Sequence, residues 1–354
     1  MRVEHLECLE RLKCLGKDMN YGMPYMGSKN RIAESIIGVL PSAEHFYDLL
    51  GGGGAIAHCA VLSGKYKHVH YNELNPVVFK GFKMAVTGGF KDEDRWISRE
   101  DFNALKDTDP YVAICFSFGN CLKRYMYNQD REPVKKAIHY AICFNDYSLL
   151  DQYLGDFKVR LAESDLYKRR IELQRYLTKL YRNDKDVKGK FAVSIDSSDG
   201  VCNTSTNMER LDRIKDLSNL YTSVDTSGGY IRKVSENVER LERVQFKGNL
   251  TCTNLSYDRV PLEPDSVIYC DPPYKNTEQY TQEFNHDDFY EWCRKQSNIY
   301  ISEYTAPDDF KCILEIEKRV KFSSYGANRA SEKLFTLKDN PCYKEVTQTE
   351  HEEW

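Results

Sequence analysis

The 354-residue chain, with 29% charged and 41% hydrophobic residues, is long enough to bury a sizeable core and to form one or two domains. No apolar run approaches the roughly 20 residues needed to cross a bilayer, and the opening MRVEHLECLERLKCL carries charges where a secretion signal has its apolar core. The 12 cysteines are scattered, with no C-x-x-C pair and no His/Cys cluster at zinc spacing. Reduced thiols in a cytoplasmic protein without a metal site are therefore expected.

Net charge is -4, but its distribution is uneven. Residues 111–247 hold 24 Lys+Arg against 19 Asp+Glu, while the rest of the chain holds 26 against 35. A basic middle inside an acidic chain suits an insert that reads nucleic acid.

In chain order, residues 1–20 form an N-terminal extension. In 21–110, HFYDLL reads as a strand entering a glycine run, 55–62 as a helix, and HVHYNEL as a second strand. Strand, glycine turn, helix, strand is the opening of a doubly wound α/β sheet. The zone 111–247 is rich in Tyr, Lys, Arg, Asn and Ser, and its SIDSSDG and SVDTSGG stretches read as loops. From 248 to 354, VIYC is an apolar strand stopped by two prolines and NIYISEY is another strand. Between them HDDFYEWCRKQ reads as a helix capped by Asn285 or Asp287. Leu6, Leu9, Leu12 and Leu15 recur every third residue, as do Leu211, Ile214, Leu217 and Leu220, and again Val238, Leu241 and Val244. These are read as amphipathic helix faces, because a leucine-rich solenoid needs repeats of roughly 20 residues or more.

Four motifs carry chemistry. YDLLGGGGA places Gly51, Gly52, Gly53 and Gly54 after a strand, where a backbone without Cβ atoms turns tightly and approaches a ligand closely. The dinucleotide fingerprint G-x-G-x-x-G is not met. YNELNP places Glu73 at the end of the second strand, about 20 residues beyond the glycine turn, a position suited to ribose hydroxyls. CDPPYKNT is the most specific. Two prolines fix the backbone and donate no hydrogen bond, so Asp271 and the carbonyl of Pro272 form a pair of acceptors for an amino group, and Tyr274 offers a ring for stacking. YMGSKNRIA places a glycine turn and Lys29 at an expected helix start, which suits a carboxylate.

The order YMGSK, DLLGGGGA, YNELNP, insert and DPPY resembles the Dam-like class of DNA adenine methyltransferases, especially versions carried by bacteriophages. The resemblance spans about 21–310. It implies a Rossmann-like sheet that binds S-adenosylmethionine, with its first part in 21–110, its catalytic part in 248–354, and a target-recognition region inserted at 111–247. It assigns Tyr25, Gly27 and Lys29 to cofactor contacts, Asp48 with Gly51, Gly52, Gly53 and Gly54 to the methionine moiety, and Glu73 to the ribose. Asp271, Pro272, Pro273 and Tyr274 become the catalytic tetrad, with Asp271 also next to the cofactor. The family's acid and aromatic shortly before the tetrad, which hold the cofactor adenine, appear here as Ser256 and Tyr257. The aromatic is kept and the acid is not, leaving Asn254 or Asp258 as substitutes.

The reaction implied is methyl transfer to the exocyclic amino group of an adenine flipped out of duplex DNA, with no metal and no covalent enzyme intermediate. Lys123, Arg124 and Tyr127, in SFGNCLKRYMYNQDREP, are the DNA-contact candidates; the alternative for them is an ordinary polar helix face. A monomer or weak dimer is expected. Rival readings are an amino methyltransferase for cytosine, RNA or a protein amide, a catalytically inactive DNA-binding homologue, and a nicotinamide oxidoreductase. The leading Asp, the intact DPPY and the absent third glycine count against them in turn.

Overall fold

The computed structural model describes residues 21–90, 93–154, 159–183, 249–274, 284–320 and 328–341. The three leucine-type triplets, SIDSSDG and SVDTSGG lie outside these. The chain divides into two compact units, one made of Met1–Gly89 with Asn237–Trp354 and the other of Phe90–Glu236.

In the first unit, helix α1 (Ala33–Val39) leads to β1 (Ala43–Asp48), α2 (Ala55–Ser63), β2 (Tyr66–Asn72) and α3 (Pro76–Val86). The second unit carries α4 (Arg99–Leu105), α5 (Pro110–Cys115), α6 (Glu132–Cys143), α7 (Ser148–Leu154) and α8 (Leu166–Asn183). The first unit resumes with β3 (Leu250–Thr253), β4 (Val267–Cys270), α9 (His286–Cys293), β5 (Ile299–Glu303), β6 (Phe310–Val320) and β7 (Asn328–Leu337).

Seven strands form one sheet in the order β3-β2-β1-β4-β5-β7-β6. The first five are mutually parallel, and β7 runs antiparallel to both β5 and β6. This is the Rossmann-like α/β sheet expected of an S-adenosylmethionine-dependent methyltransferase. Strand β4 reads as an unbroken apolar run because all four of its residues are buried, as in a parallel sheet covered on both faces. One face packs Ile268, Cys270, Ile299 and Ile301 against Phe289, Tyr290 and Cys293 of α9. Farther along the sheet, α2 packs on β1 and β2. Helix α9 starts where expected, and Asn285 is its cap, accepting from the backbone N–H groups of Asp287 and Asp288 at 3.1 and 3.2 Å.

Two local expectations change. YMGSKNRIA does not open a helix at its lysine: turns occupy residues 26–27 and 30–32, with Ser28 N–H on the Tyr25 carbonyl, and α1 begins only at Ala33. The long β6–β7 hairpin had no counterpart in the sequence reading. Among the described residues, no helix is long and apolar enough to cross a membrane.

The second unit has its own core, in which α6, α7 and α8 bury Ala137, Ile138, Leu150 and Leu173. The buried Arg169 ties α8 to the end of α6 by donating to the Ala141 and Ile142 carbonyls at 2.6 and 2.7 Å. Those carbonyls have no partners within their own helix end, and a guanidinium supplies both donors and the favourable charge.

Candidate active site

Strand order reverses between β1, which leads outward to β2, and β4, which leads outward to β5. Ligands of doubly wound sheets bind beyond the carboxyl ends of the strands at such a switch. Asp48 is the last residue of β1, and Asp271 directly follows β4. The Leu49 N–H donates to the Tyr269 carbonyl at 3.0 Å, so the two chain exits lie side by side.

The glycine run follows immediately. Gly51 N–H donates to the Asn72 carbonyl at 2.8 Å, and a Cβ on Gly51 would lie 2.3 Å from the Tyr71 ring. Gly54 has φ +74° and would drive a Cβ to 2.1 Å from the Phe82 ring. The glycines are thus required by the packing of the loop itself, apart from any ligand. Tyr25 lies against the same loop, since Cβ atoms on Gly52 and Gly53 would come within 2.9 and 2.7 Å of it. Gly27 has φ +81° and makes the turn that carries the chain on to Lys29.

Glu73 bridges the glycine loop and the start of α3. Its carboxylate accepts from Gly52 N–H and from Asn75 N–H, both at 2.8 Å. Burial raises its pKa, while the Asn75, Gly52 and Leu74 N–H groups oppose the rise. Asn72, which sequence reasoning passed over, ties the strand ends together. Its amide donates to the Leu49 and Leu255 carbonyls at 2.9 Å, and its Oδ1 accepts from Thr253 and Leu255.

At the end of β4, Lys29 Nζ lies 2.7 Å from Asp271 Oδ2 and 3.8 Å from Glu332 Oε2. Burial pulls the lysine pKa down, but the nearby Asp271 and Glu332 charges outweigh it, so the net shift is upward. The ammonium also sits 4.8 Å over the Tyr274 ring. The Tyr274 hydroxyl donates to Glu332 Oε2 at 2.6 Å, and Tyr304 meets the Tyr274 ring edge-on at 4.5 Å. Behind the prolines, His286 Nε2 donates to the Pro273 carbonyl at 2.8 Å and lies 3.9 Å from Glu303. Glu332, His286 and Tyr304 were not found by sequence reasoning. Of the three, His286 and Tyr304 sit inside stretches that the reading singled out, the helix after the tetrad and the strand NIYISEY, whereas Glu332 does not.

Asp271 and Glu332 flank the Lys29 ammonium, and Asp48 lies within electrostatic reach of Lys29, Asp271 and Glu73. Asp48 is 1% exposed, and its pKa is pushed up to about 8, first by burial and then by the charges of Asp271 and Glu73. Its Oδ2 accepts from Ala57 N–H at 3.1 Å, while its buried Oδ1 has no hydrogen-bond partner among the described residues. An acidic site with an unsatisfied buried carboxyl oxygen fits a ligand that carries positive charge, and S-adenosylmethionine has both a sulfonium and an ammonium.

The remaining candidates have the following surroundings. Tyr257 packs edge-on against Phe289 and Trp292 on the α9 face. The Asn254 amide donates to the Glu73 and Leu74 carbonyls at 2.6 and 2.9 Å, whereas Asp258 accepts from the Ser256 hydroxyl. Lys123, Arg124 and Tyr127 belong to the second unit. Their segment is not a helix face. It is a loop closed by the Ser117–Tyr125 bridge, with Phe118 N–H on the Arg124 carbonyl at 2.7 Å. Lys123 and Arg124 are exposed. Tyr127 is half-buried and stacked on Trp96 with ring centroids 5.7 Å apart.

No curated protein matches the chain. A family model does, over residues 25–300, and that stretch includes the glycine loop, Glu73, the insert and the tetrad. Matched over well more than half its length, the chain belongs to the D12 class N6 adenine-specific DNA methyltransferase family.

Proposed function

We propose that this S-adenosylmethionine-dependent adenine methyltransferase acts on an adenine flipped out of duplex DNA, with Asp271, Pro272, Pro273 and Tyr274 as its catalytic segment. The observation that carries the reading is the Asp271 carboxylate, paired with Lys29 at 2.7 Å beside Tyr274 at the sheet's switch point.

In this reading the Asp271 carboxylate and the Pro272 carbonyl accept hydrogen bonds from the adenine amino group. Its lone pair is delocalised into the purine ring, so it is a poor nucleophile. Two fixed acceptors favour a pyramidal nitrogen and stabilise the positive charge that develops as it attacks, a preorganised electrostatic effect. The His286 contact to the Pro273 carbonyl anchors the turn from which both acceptors project. Tyr274 supplies a stacking face on the side opposite Lys29. The bound cofactor supplies an electrophilic methyl group on its sulfonium. Holding the amino group against a bound cofactor would contribute much of the remaining rate, and the nitrogen's proton would pass to solvent water during or after transfer.

Tyr25, Gly27, Lys29, Asp48, Gly51, Gly52, Gly53, Gly54 and Glu73 are the proposed cofactor contacts, and Tyr257 flanks the cofactor adenine. Residues 111–247 are the proposed target-recognition region. The exposed Lys123 and Arg124 on their closed loop support phosphate or base-edge contacts, and Tyr127 contributes from the loop's packed side. The motif order shared with bacteriophage-carried enzymes extends the reading to restriction–modification in the cytoplasm of a bacterial host. Base flipping is tested by sequencing modified bases in DNA from expressing cells, then placing 2-aminopurine at the methylated position. The expected result is a fluorescence rise on binding. Unchanged fluorescence with binding intact contradicts flipping.

A further inference from the structure

Glu332 has no place in any motif of the sequence. It lies on β7, brought to the site by antiparallel pairing with β5 and β6. Its side chain is only 13% exposed. One carboxylate oxygen, Oε2, accepts the Tyr274 hydroxyl at 2.6 Å and lies 3.8 Å from Lys29 Nζ. A tyrosine ring turns about two side-chain torsions, and packing on its edge alone does not fix its tilt. An O–H donating to a carboxylate at this distance is among the stronger hydrogen bonds available to a side chain. It holds the ring at its far end, where rotation of the side chain has the longest lever. The ammonium over one face and Tyr304 at the edge restrain the ring on further sides.

We propose that Glu332 is a positioning residue for methyl transfer: it holds the Tyr274 hydroxyl and so fixes the ring on which the flipped adenine rests. Its contact with Lys29 couples this restraint to Asp271, the other partner of the same ammonium. The proposal rests on reading Asp271, Pro272, Pro273 and Tyr274 as the catalytic segment.

The test is kcat at saturating S-adenosylmethionine and DNA for Glu332→Ala, Glu332→Gln, Tyr274→Phe and the double variant Glu332→Ala/Tyr274→Phe, with Asp271→Ala as reference. Loss of a hydrogen bond to a charged group should lower kcat roughly tenfold or more in Glu332→Ala and in Tyr274→Phe. The KM for the cofactor should move much less. The double variant should be no slower than the slower single variant, because both changes break the same contact. Glu332→Gln keeps an acceptor for the phenol and should stay within about threefold of wild type, given the modest strength of a neutral hydrogen bond. Losses that multiply in the double variant overturn the proposal, and so does a Glu332→Gln rate as low as that of Glu332→Ala. Should Glu332→Ala fail to fold, Tyr274→Phe decides alone: a wild-type kcat overturns the proposal. An unimpaired Asp271→Ala overturns the catalytic reading itself, whereas a crippled Asp271→Ala beside an intact Glu332→Ala overturns only the positioning role.

Discussion

Replacing Lys29 with Ala removes the ammonium that lies between Asp271 and Glu332. The lysine side chain is 6% exposed and its partners Asp271 and Glu332 are 20% and 13% exposed, so neither is well solvated. Breaking a buried pair by deleting one partner costs about 3–5 kcal/mol, mostly because the other charge is stranded. The partial exposure of Asp271 favours the lower end, about 3 kcal/mol. For a domain of this size each kcal/mol shifts Tm by about 2–4 °C, so a fall of roughly 6–12 °C is expected. The loss should depend on pH. In the wild type the lysine pKa is raised in the fold, so its contribution is fully present below the ordinary lysine value and is lost as pH rises from there through the raised one. In the variant the stranded carboxylates favour their protonated forms. Their folded pKa values rise, and the stability this confers is present below about pH 4 and lost as pH increases. The gap between variant and wild type should therefore be small near pH 4 and widest near pH 8. Thermal melts across that range measure it, and a pH-independent gap, or none, refutes the reasoning. In the same variant S-adenosylmethionine binding should weaken more than DNA binding, and unchanged cofactor affinity on titration would remove Lys29 from the cofactor site.

Two further outcomes follow from the site and the insert. Because the Asp48 pKa is raised to about 8, the stability it confers is present below about pH 4 and declines as pH climbs through the raised value. Asp48→Asn, which keeps an acceptor for Ala57 N–H, should flatten the loss of apo-protein stability between mildly acidic and mildly alkaline pH; an unchanged profile would contradict the assignment. DNA binding should weaken steeply with salt, since phosphate contacts release counterions, and the basic excess of 24 Lys+Arg over 19 Asp+Glu in 111–247 motivates this. A flat response between low and physiological salt would point away from a phosphate-contacting insert.

The parts legible in the sequence were those fixed by local rules. The glycine run after HFYDLL, the prolines that stop VIYC and the Asn285 cap each act within a few residues. They marked β1, α2, β2, β4 and α9 near their observed places. The features missed depend on distant pairing. Nothing near Glu332 in sequence signals that β7 will bring it to Tyr274, and nothing near Lys29 names Asp271 as its partner. The turns within 26–32 were misread because Gly27 and Lys29 resemble a helix start. The Lys29 side chain instead turns inward to the ion pair, and its carbonyl takes the Ile32 N–H at 2.9 Å. The loop around Lys123 and Arg124 depends on positive φ at Gly119, Asn120 and Leu122. The latter two are non-glycine positions that composition does not mark. The charge shift near Tyr111 likewise does not coincide with packing, since Trp96 already stacks on Tyr127 and meets His139 within the second unit.

The central claim, that Asp271 acts on the adenine amino group, is tested most directly by the methyl-transfer rate of Asp271→Ala at saturating S-adenosylmethionine. Saturation removes any loss of cofactor affinity from the comparison, and the Gly51–Gly54 loop, Glu73 and the insert are unaltered. Deleting one preorganised acceptor, a loss of about 3 kcal/mol, should slow transfer roughly 100-fold or more. DNA affinity should change far less, because most of it comes from phosphate contacts. A variant that still methylates adenine at near wild-type rate under these conditions would show Asp271 to be structural and would contradict the mechanism.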